Sequence, residues 1–397
     1  MGIRKKKKRQ LCEEDEMSLV AKLRQRSVYG RITHIDWGRG SIAPFVVEFD
    51  PTTACNLACP DCISRDLLNQ GFFSRKRIRL LTQEMVEAGV KAVVLIGGGE
   101  PLMHPEIGWI IEYLGKNDVH IGITTNGIQI NKYIEPIAQY AKWIRVSVDA
   151  ATPETFHRIR PSRTDKNMFS KVIANMEMLA KMKTGKLGFS FMIYTEGEFE
   201  KSPSSFRPDG AASASDRMEE VFTNAFEIYR GARLARDIGC DYFEVKPMYN
   251  IRHFAIHQNR TLITVIQREM EKASTLAGPD FRILQATKLK NTLEGDGGIE
   301  EKPYGRCAVS ELRTLVTPTG VYVCPYFRGR KDRKIGDVRR ESFSDMWNGE
   351  RRRKVMTALD PSRHCKMHCI RNDSNFYLED MIAGRHIEII DDFDRFL

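Results

Sequence analysis

An α/β fold with a parallel sheet, followed by a small cysteine-rich module, is what this sequence predicts, and three observations predict it. Six short apolar runs alternate with segments of helical period between residues 41 and 290. Glycines, cysteines and polar residues gather just after the C-terminal ends of those runs. Beyond residue 300 the alternation stops, and a hairpin-like stretch with four cysteines takes its place.

Taken in order, residues 1–40 read as a basic tail and a short helix around Ser18–Arg26. The strand candidates are Phe45–Phe49, Ala92–Ile96, His120–Thr124, Ile144–Asp149, Gly188–Tyr194 and Tyr242–Lys246. Segments of helical period between them include Thr82–Ala88, Pro105–Leu114, Asn131–Ala141, Phe169–Met182 and Met218–Asp237. Strands separated by helices run parallel with right-handed crossovers. The chemistry of a barrel built this way belongs at the C-terminal ends of its strands. Residues 196–216, rich in Ser, Gly, Pro and Ala, leave the top of the fifth strand; a lid over the site and a passive surface insertion are both open readings. Residues 300–372 form the cysteine-rich module and 373–397 a C-terminal tail.

Cys55-Asn-Leu-Ala-Cys59-Pro-Asp-Cys62 follows the first strand. Three thiolates this close together can grip three irons of a 4Fe–4S cube and leave the fourth iron free. A zinc site would need a fourth ligand, and the next twenty residues bring no further Cys or His. Gly97-Gly98-Gly99-Glu100 ends the second strand, where glycines let the backbone approach a ligand closely. Thr125 and Asn126 end the third, Ser147 and Asp149 the fourth, and Lys246 and Tyr249 the sixth. Cys240 enters the sixth strand from its opposite end and reads as a core thiol.

These blocks, in this order, resemble the radical S-adenosylmethionine (radical SAM) superfamily, whose fold is a partial (β/α)6 TIM-like barrel. In that family the free iron is chelated by the amine and carboxylate of SAM. An electron from the cluster cleaves the sulfonium, and a 5′-deoxyadenosyl radical takes hydrogen from the substrate; the protein supplies placement and shielding from water. The resemblance implies that Cys55, Cys59 and Cys62 hold the cluster and that Gly97, Gly98, Gly99 and Glu100 meet the SAM amine. Ser147-Val-Asp149-Ala150 and His157-Arg-Ile-Arg160 resemble a second family block. It makes Ser147 and Arg160 candidates for the SAM carboxylate and ribose, with Asp149 beside them; an arginine fork suits a carboxylate. A capping serine and a surface arginine are the plain alternatives. Thr125 and Asn126 are further cofactor candidates, although Asn-Gly is also an ordinary turn. One departure is visible: Asp61 stands where the family often has an aromatic residue near the adenine.

In the last third, Cys307, Cys324, Cys365 and Cys369 bracket a predicted hairpin, Arg313–Val323, with Pro318 and Gly320 at its turn. Ile335–Val338 and a helix near Phe343–Arg353 follow. This order resembles the SPASM module in its shortened twitch form, which implies one auxiliary 4Fe–4S cluster held by the four cysteines. A structural zinc with four cysteine ligands is the rival.

Composition limits the setting. Hydrophobic residues at 42% and charged residues at 29% describe a globular chain, with no apolar run long enough to span a membrane. Nine cysteines without an export signal predict a cytoplasmic protein that uses them for metal rather than disulfides. The net charge of +10 is partly one block, Arg4–Arg9, followed by the acidic Glu13–Glu16. A nucleic-acid partner is therefore a weaker reading than a solvated tail.

The function expected from these readings is hydrogen abstraction from a polyhydroxylated small molecule of aminocyclitol, aminoglycoside or nucleotide-sugar type, in natural-product (antibiotic) biosynthesis. The outcome would be dehydrogenation, dehydration, decarboxylation or epimerisation. An external flavodoxin- or ferredoxin-type reductase would supply the electron, and the auxiliary cluster would take one back. Lys246, Tyr249 and Tyr326 are the candidate proton acceptors. A peptide maturase is the second reading, and an RNA-modifying enzyme the third.

Overall fold

The computed structural model describes residues 18–162, 167–195, 222–247, 260–286, 289–290, 293, 302–365, 369–385 and 388–397. Seven parallel strands follow one another in sequence order: β1 (Val46–Phe49), β2 (Ala92–Leu95), β3 (His120–Thr125), β4 (Ala141–Ser147), β5 (Lys186–Ile193), β6 (Tyr242–Pro247) and β7 (Arg282–Gln285). Six overlap the expected strands, although β4 begins at Ala141 rather than Ile144 and ends at Ser147, short of Asp149. The seventh was not foreseen, because Arg282-Ile-Leu-Gln285 has only two apolar residues between polar ends, neither a run nor an alternation.

Three more strands come from the cysteine-rich module: β8 (Arg313–Thr317), β9 (Gly320–Tyr322) and β10 (Lys334–Gly336). β8 and β9 form the expected antiparallel hairpin. Gly320 lies at φ 150° at its turn, and Thr317 Oγ1 accepts from Thr319 N at 3.1 Å. β8 then pairs in parallel with β1, Val46 against Arg313 and Phe49 against Val316. The sheet is thus ten strands in the order β10-β9-β8-β1-β2-β3-β4-β5-β6-β7. The module is stitched to the barrel through its first strand.

Period-two alternation decides which face each residue joins. Val47, Phe49, Val93, Leu95, Ile121, Ile123, Ile144, Val146, Phe189, Phe191, Phe243 and Val245 are buried in the core beneath the surrounding helices. Those helices start on defined caps: Ser74 Oγ accepts from Arg77 N before Arg75–Glu87, and Thr152 Oγ1 accepts from Thr155 N before Pro153–Ile159. The inward set is different. Val46, Ala92 and Val94 meet Phe396 and Leu397 and the helices Leu19–Leu23 and Arg26–Thr33 in a second core. Trp143 lies across Gly122, whose Cβ would come within 2.2 Å of the indole, and meets Phe396 edge-on at 5.4 Å. Together they close the floor of the barrel and leave its upper interior to polar side chains.

Several boundaries differ from expectation. The stretch 131–141 divides into a 3-10 turn, Ile130–Tyr133, and a short helix, Ile134–Tyr140, which runs straight into β4. The helix near 343–353 breaks at Gly349, which is extended (φ −72°, ψ 159°), giving Phe343–Asn348 and Glu350–Thr357. The described helix before β6 is Ile228–Ile238; the segment up to 221, including 196–216, lies outside the described residues. Cys240 is buried in the core, as its position suggested. Among the described residues, no helix is long and apolar enough to cross a membrane.

Candidate active site

The loop that carries Cys55, Cys59 and Cys62 leaves the C-terminal end of β1 and is held on three sides. Thr53 N donates to Gly71 O at 3.0 Å, and Asn69 N donates to Thr53 O at 2.9 Å. Glu100 N donates to Ala54 O, and Ala58 N to Pro161 O, each at 2.8 Å. Asn126 Nδ2 donates to Asn56 Oδ1 at 2.7 Å. The loops after β2, β3 and β4 therefore all reach the cysteine loop.

The glycine triplet makes this approach possible. A Cβ on Gly99 would lie 2.3 Å from Ala54 O and 2.5 Å from Thr53 C; one on Gly97 would lie 1.7 Å from Gly99 O. A Cβ on Gly98 would lie 2.9 Å from Asp50 Oδ2. Asp50 ends β1, is fully buried, and accepts both arms of Arg328 at 2.7 and 3.1 Å. Arg328 comes from the cysteine-rich module, so this fork ties the two halves together at the mouth. The sequence reading missed the pair. Its one signal was an acid at the end of the first strand.

Glu100 is 2% exposed and its two carboxylate oxygens are already engaged. Oε1 accepts from Thr125 Oγ1 at 2.6 Å and Leu102 N at 3.0 Å, and Oε2 from Asn126 N at 2.8 Å. Burial pushes its pKa up against these donors. Glu100, Thr125 and Asn126 thus form one clasp between the loops after β2 and β3, and the backbone of Gly97–Gly99 is what remains to face a ligand.

Ser147 ends β4 half-buried, and its hydroxyl makes no hydrogen bond among the described residues. Asp149 stands two residues on in the left-handed region, φ 60°. It accepts from Arg160 Nε and Met192 N, each at 2.8 Å, and from Arg160 Nη2. Arg160 Nη1 is left facing Cys59 Sγ at 3.9 Å. Burial opposes the charge of Arg160, but Asp149 and the thiols of Cys59 and Cys55 raise its pKa on balance.

The four C-terminal cysteines lie near enough to act on one another electrostatically although long stretches of chain separate them. Cys307 precedes the 3-10 turn Ala308–Glu311, Cys324 follows β9, Cys365 ends the short helix Pro361–His364, and Cys369 lies just before the helix Asn372–Ile382. Burial, then neighbouring thiols, pushes Cys365 up to about 12; Cys369 rises to about 11. In the N-terminal group burial pushes Cys55 up to about 12. Backbone N–H groups of Tyr326, Arg371 and Leu57 act against burial at Cys324, Cys369 and Cys55, and Ser310 donates from N at 3.1 Å and from Oγ at 2.6 Å to the carbonyl of Cys307. Crowded thiols with N–H donors suit cluster sulfur and iron. Among the described residues, no three His, Cys, Asp or Glu side chains converge as ligands of one ion do.

Tyr326 sits in the 3-10 turn beside Cys324. Arg371, on the same side, is near Cys369, Tyr326 and the Glu48–Arg313 pair of β1 and β8; burial and the Arg313 charge bring its pKa down to about 9. Lys246 ends β6 and approaches Glu244 at 3.5 Å. Tyr249 lies outside the described residues. Arg145 and Glu244 were also missed. Their signal was a charge at alternate positions of an apolar strand, Ile144-Arg145-Val146 and Phe243-Glu244-Val245.

Comparisons with known proteins agree with this arrangement. The radical SAM superfamily matches residues 49–204, and the SPASM iron–sulfur cluster-binding domain matches residues 307–370. The chain is 29% identical over 144 residues to the mycofactocin maturase MftC of Mycobacterium ulcerans, covering 36% of this chain and 38% of that protein's length. It is 23% identical over 322 residues to the AdoMet-dependent heme synthase of Methanosarcina barkeri, covering 79% and 85%. In fold it is similar to Streptococcus suis SuiB bound to the precursor peptide SuiA, with TM-score 0.56, 13% identity and coverage of 84% and 71%. The cofactors of the two domains are a SAM-binding 4Fe–4S cluster and an auxiliary 4Fe–4S cluster, which sets aside the zinc alternative. The chain thus carries a radical SAM superfamily domain and, C-terminal to it, a SPASM iron–sulfur cluster-binding domain.

Proposed function

We propose that the chain takes a hydrogen atom from a peptide held in the barrel interior, as a peptide-modifying maturase. When bound, the clusters supply the electron that cleaves SAM and accept the electron the substrate releases. The observation that carries this reading is that both cysteine groups border one interior. Arg160 stands at Cys59 while anchored to Asp149 beyond β4, and Arg371 lies near both Cys369 and Glu48 on β1. The partial likeness to a mycofactocin maturase supports a peptide as substrate. The chain's residues have defined parts in this reading. Cys55, Cys59 and Cys62 hold the first cluster; Cys307, Cys324, Cys365 and Cys369 hold the second. The backbone of Gly97–Gly99 with Ser147 and Arg160 seats SAM. Asp149, Glu100, Thr125 and Asn126 position those groups, and Tyr326, in the turn after Cys324, is the proton acceptor of this reading.

A polyhydroxylated small molecule is the second reading. The inner face of β4–β6, with Arg145, Ser147, Ser190, Glu244 and Lys246, favours it, because such a face suits a compact polar substrate.

Anaerobic reconstitution tests the cofactor part: about eight irons per chain are expected from two 4Fe–4S clusters. Replacing Cys55, Cys59 and Cys62 with Ala should abolish 5′-deoxyadenosine formation. Replacing Cys365 and Cys369 should leave SAM cleavage without product; product from that variant would remove the electron-acceptor role. Substrate class is read from 5′-deoxyadenosine carrying deuterium out of a labelled substrate. Transfer from short peptides encoded beside the gene supports the first reading, and transfer from labelled aminocyclitols or sugars supports the second.

A further inference from the structure

Two cations inside the barrel share one carboxylate. Ile144, Val146, Phe243 and Val245 pack outward, so Arg145 on β4 and Glu244 and Lys246 on β6 face inward. Arg145 Nη1 donates to Glu244 Oε2 at 3.2 Å, and Lys246 Nζ approaches the same oxygen at 3.5 Å. Arg145 pairs across the sheet with Thr124 on β3 and with Gly188 on β5. Arg145 Nε and Thr124 Oγ1 are both buried and have no hydrogen-bond partner. Yet 28% of the Arg145 side chain and 26% of the Lys246 side chain are accessible, so they line a space rather than fill a core.

The charges facing this space do not balance. Asp149 also acts on both cations, but it is ion-paired to Arg160. Burial and Arg145 together lower the Lys246 pKa, although Glu244 and Asp149 oppose them. Against Arg145 and Lys246 stands Glu244 alone, which leaves one positive charge over.

We propose that this inner face seats a carboxylate of the substrate, held by Lys246 and Arg145 with the Thr124 hydroxyl as a third donor. A carboxylate matches the surplus of one charge, and a phosphate dianion would exceed it. Arg145 supplies the directional N–H and Lys246 the mobile point charge. The inference rests on the reading that substrate occupies the barrel interior, and it deepens that reading by naming the group recognised. The carboxylate can come from an acidic peptide residue or from an acidic sugar.

The test uses the full-length holoenzyme with both clusters and SAM bound, under anaerobic titration calorimetry. Two matched pairs of probes are titrated: N-acetyl-aspartate amide against N-acetyl-asparagine amide, and D-glucuronate against D-glucose. In at least one pair the acid should bind about tenfold or more tightly than its neutral partner, a difference of about 1.4 kcal/mol. Preference for the aspartate probe identifies a peptide source, and preference for glucuronate an acid sugar. Arg145→Gln and Lys246→Gln should each erase the preference. Glu244→Gln removes the competing carboxylate and should tighten acid binding several-fold, which a merely structural network would not do. Equal binding of acid and neutral probes overturns the proposal, as does acid binding that Glu244→Gln leaves unchanged or weaker. Absence of acid binding to both wild type and Glu244→Gln also overturns it. SAM cleavage by the wild type without probe tests the radical reading separately, since it does not depend on acid preference.

Discussion

Asp149 ties Arg160 to the loop after β4 and to β5. It accepts φ 60°, which costs a non-glycine residue on the order of 1 kcal/mol, and in return aims its carboxylate at Arg160 and Met192 N. Asp149→Asn leaves the Arg160 charge buried without its partner. The expected loss is about 3–5 kcal/mol, measured by urea denaturation of the cluster-free protein. His120 is a second residue with a definite outcome. Burial, with Arg395 and Lys142 nearby, pushes its imidazole down from 6.5 to about 4. The unfolded chain therefore binds the proton more readily between those values. Stability should be highest above pH 6.5 and fall as the pH drops towards about 4. A His120→Gln variant should flatten that acid limb in thermal melts taken across the range; an unchanged limb would assign the loss to other groups. Cys55, Cys59 and Cys62 were legible in the sequence as candidate ligands because their short spacing is a local pattern. Asp50 and Arg328 were not, since neither residue carries a sign of the other 278 positions away.

The glycine triplet after β2 governs an element rather than a single contact. Its backbone lies where no Cβ fits against Thr53 and Ala54, so Gly99→Ala should lift the cysteine loop from its seat. Reconstituted iron should fall from about eight to about four per chain, with the auxiliary cluster retained. A full iron count in this variant would show that the loop is held by its other contacts alone. The inner face offers a parallel case. Gly188 lets the Tyr242 ring lie against its own strand, with a Cβ-to-Cζ approach of 2.0 Å if alanine replaced it. Strands β1–β6 were legible because each is an apolar run with period two or fully buried. The helix breaks were less so: Gly349 is extended here, and nothing local distinguishes it from a tolerated helical glycine.

At the scale of the whole molecule, the first described helices, Leu19–Leu23 and Arg26–Thr33, and the C-terminal residues close the barrel floor together. Gln25 is fully buried; its Oε1 accepts from Phe393 N at 2.5 Å and Asp394 N at 2.7 Å. Phe396 sits between His120 and Trp143. Phe396→Ala should cost about 3–5 kcal/mol and expose the helices 19–33 to limited proteolysis, read by denaturation and peptide mapping. At the other end of the sheet, β8 joins β1, so the iron–sulfur module and the barrel share backbone hydrogen bonds. The sequence by itself determined the alternation that makes the parallel sheet, the two groups of cysteines proposed to hold iron, and the glycine and serine motifs at the strand ends. Those are local properties, set by period, spacing and residue chemistry. Only the tertiary structure decided that Arg328 crosses to Asp50, that Glu100 is already saturated by donors, and that Arg145 and Lys246 share Glu244 inside the barrel. Such pairings depend on strand register and on closure of the sheet, which bring together residues that no local pattern connects.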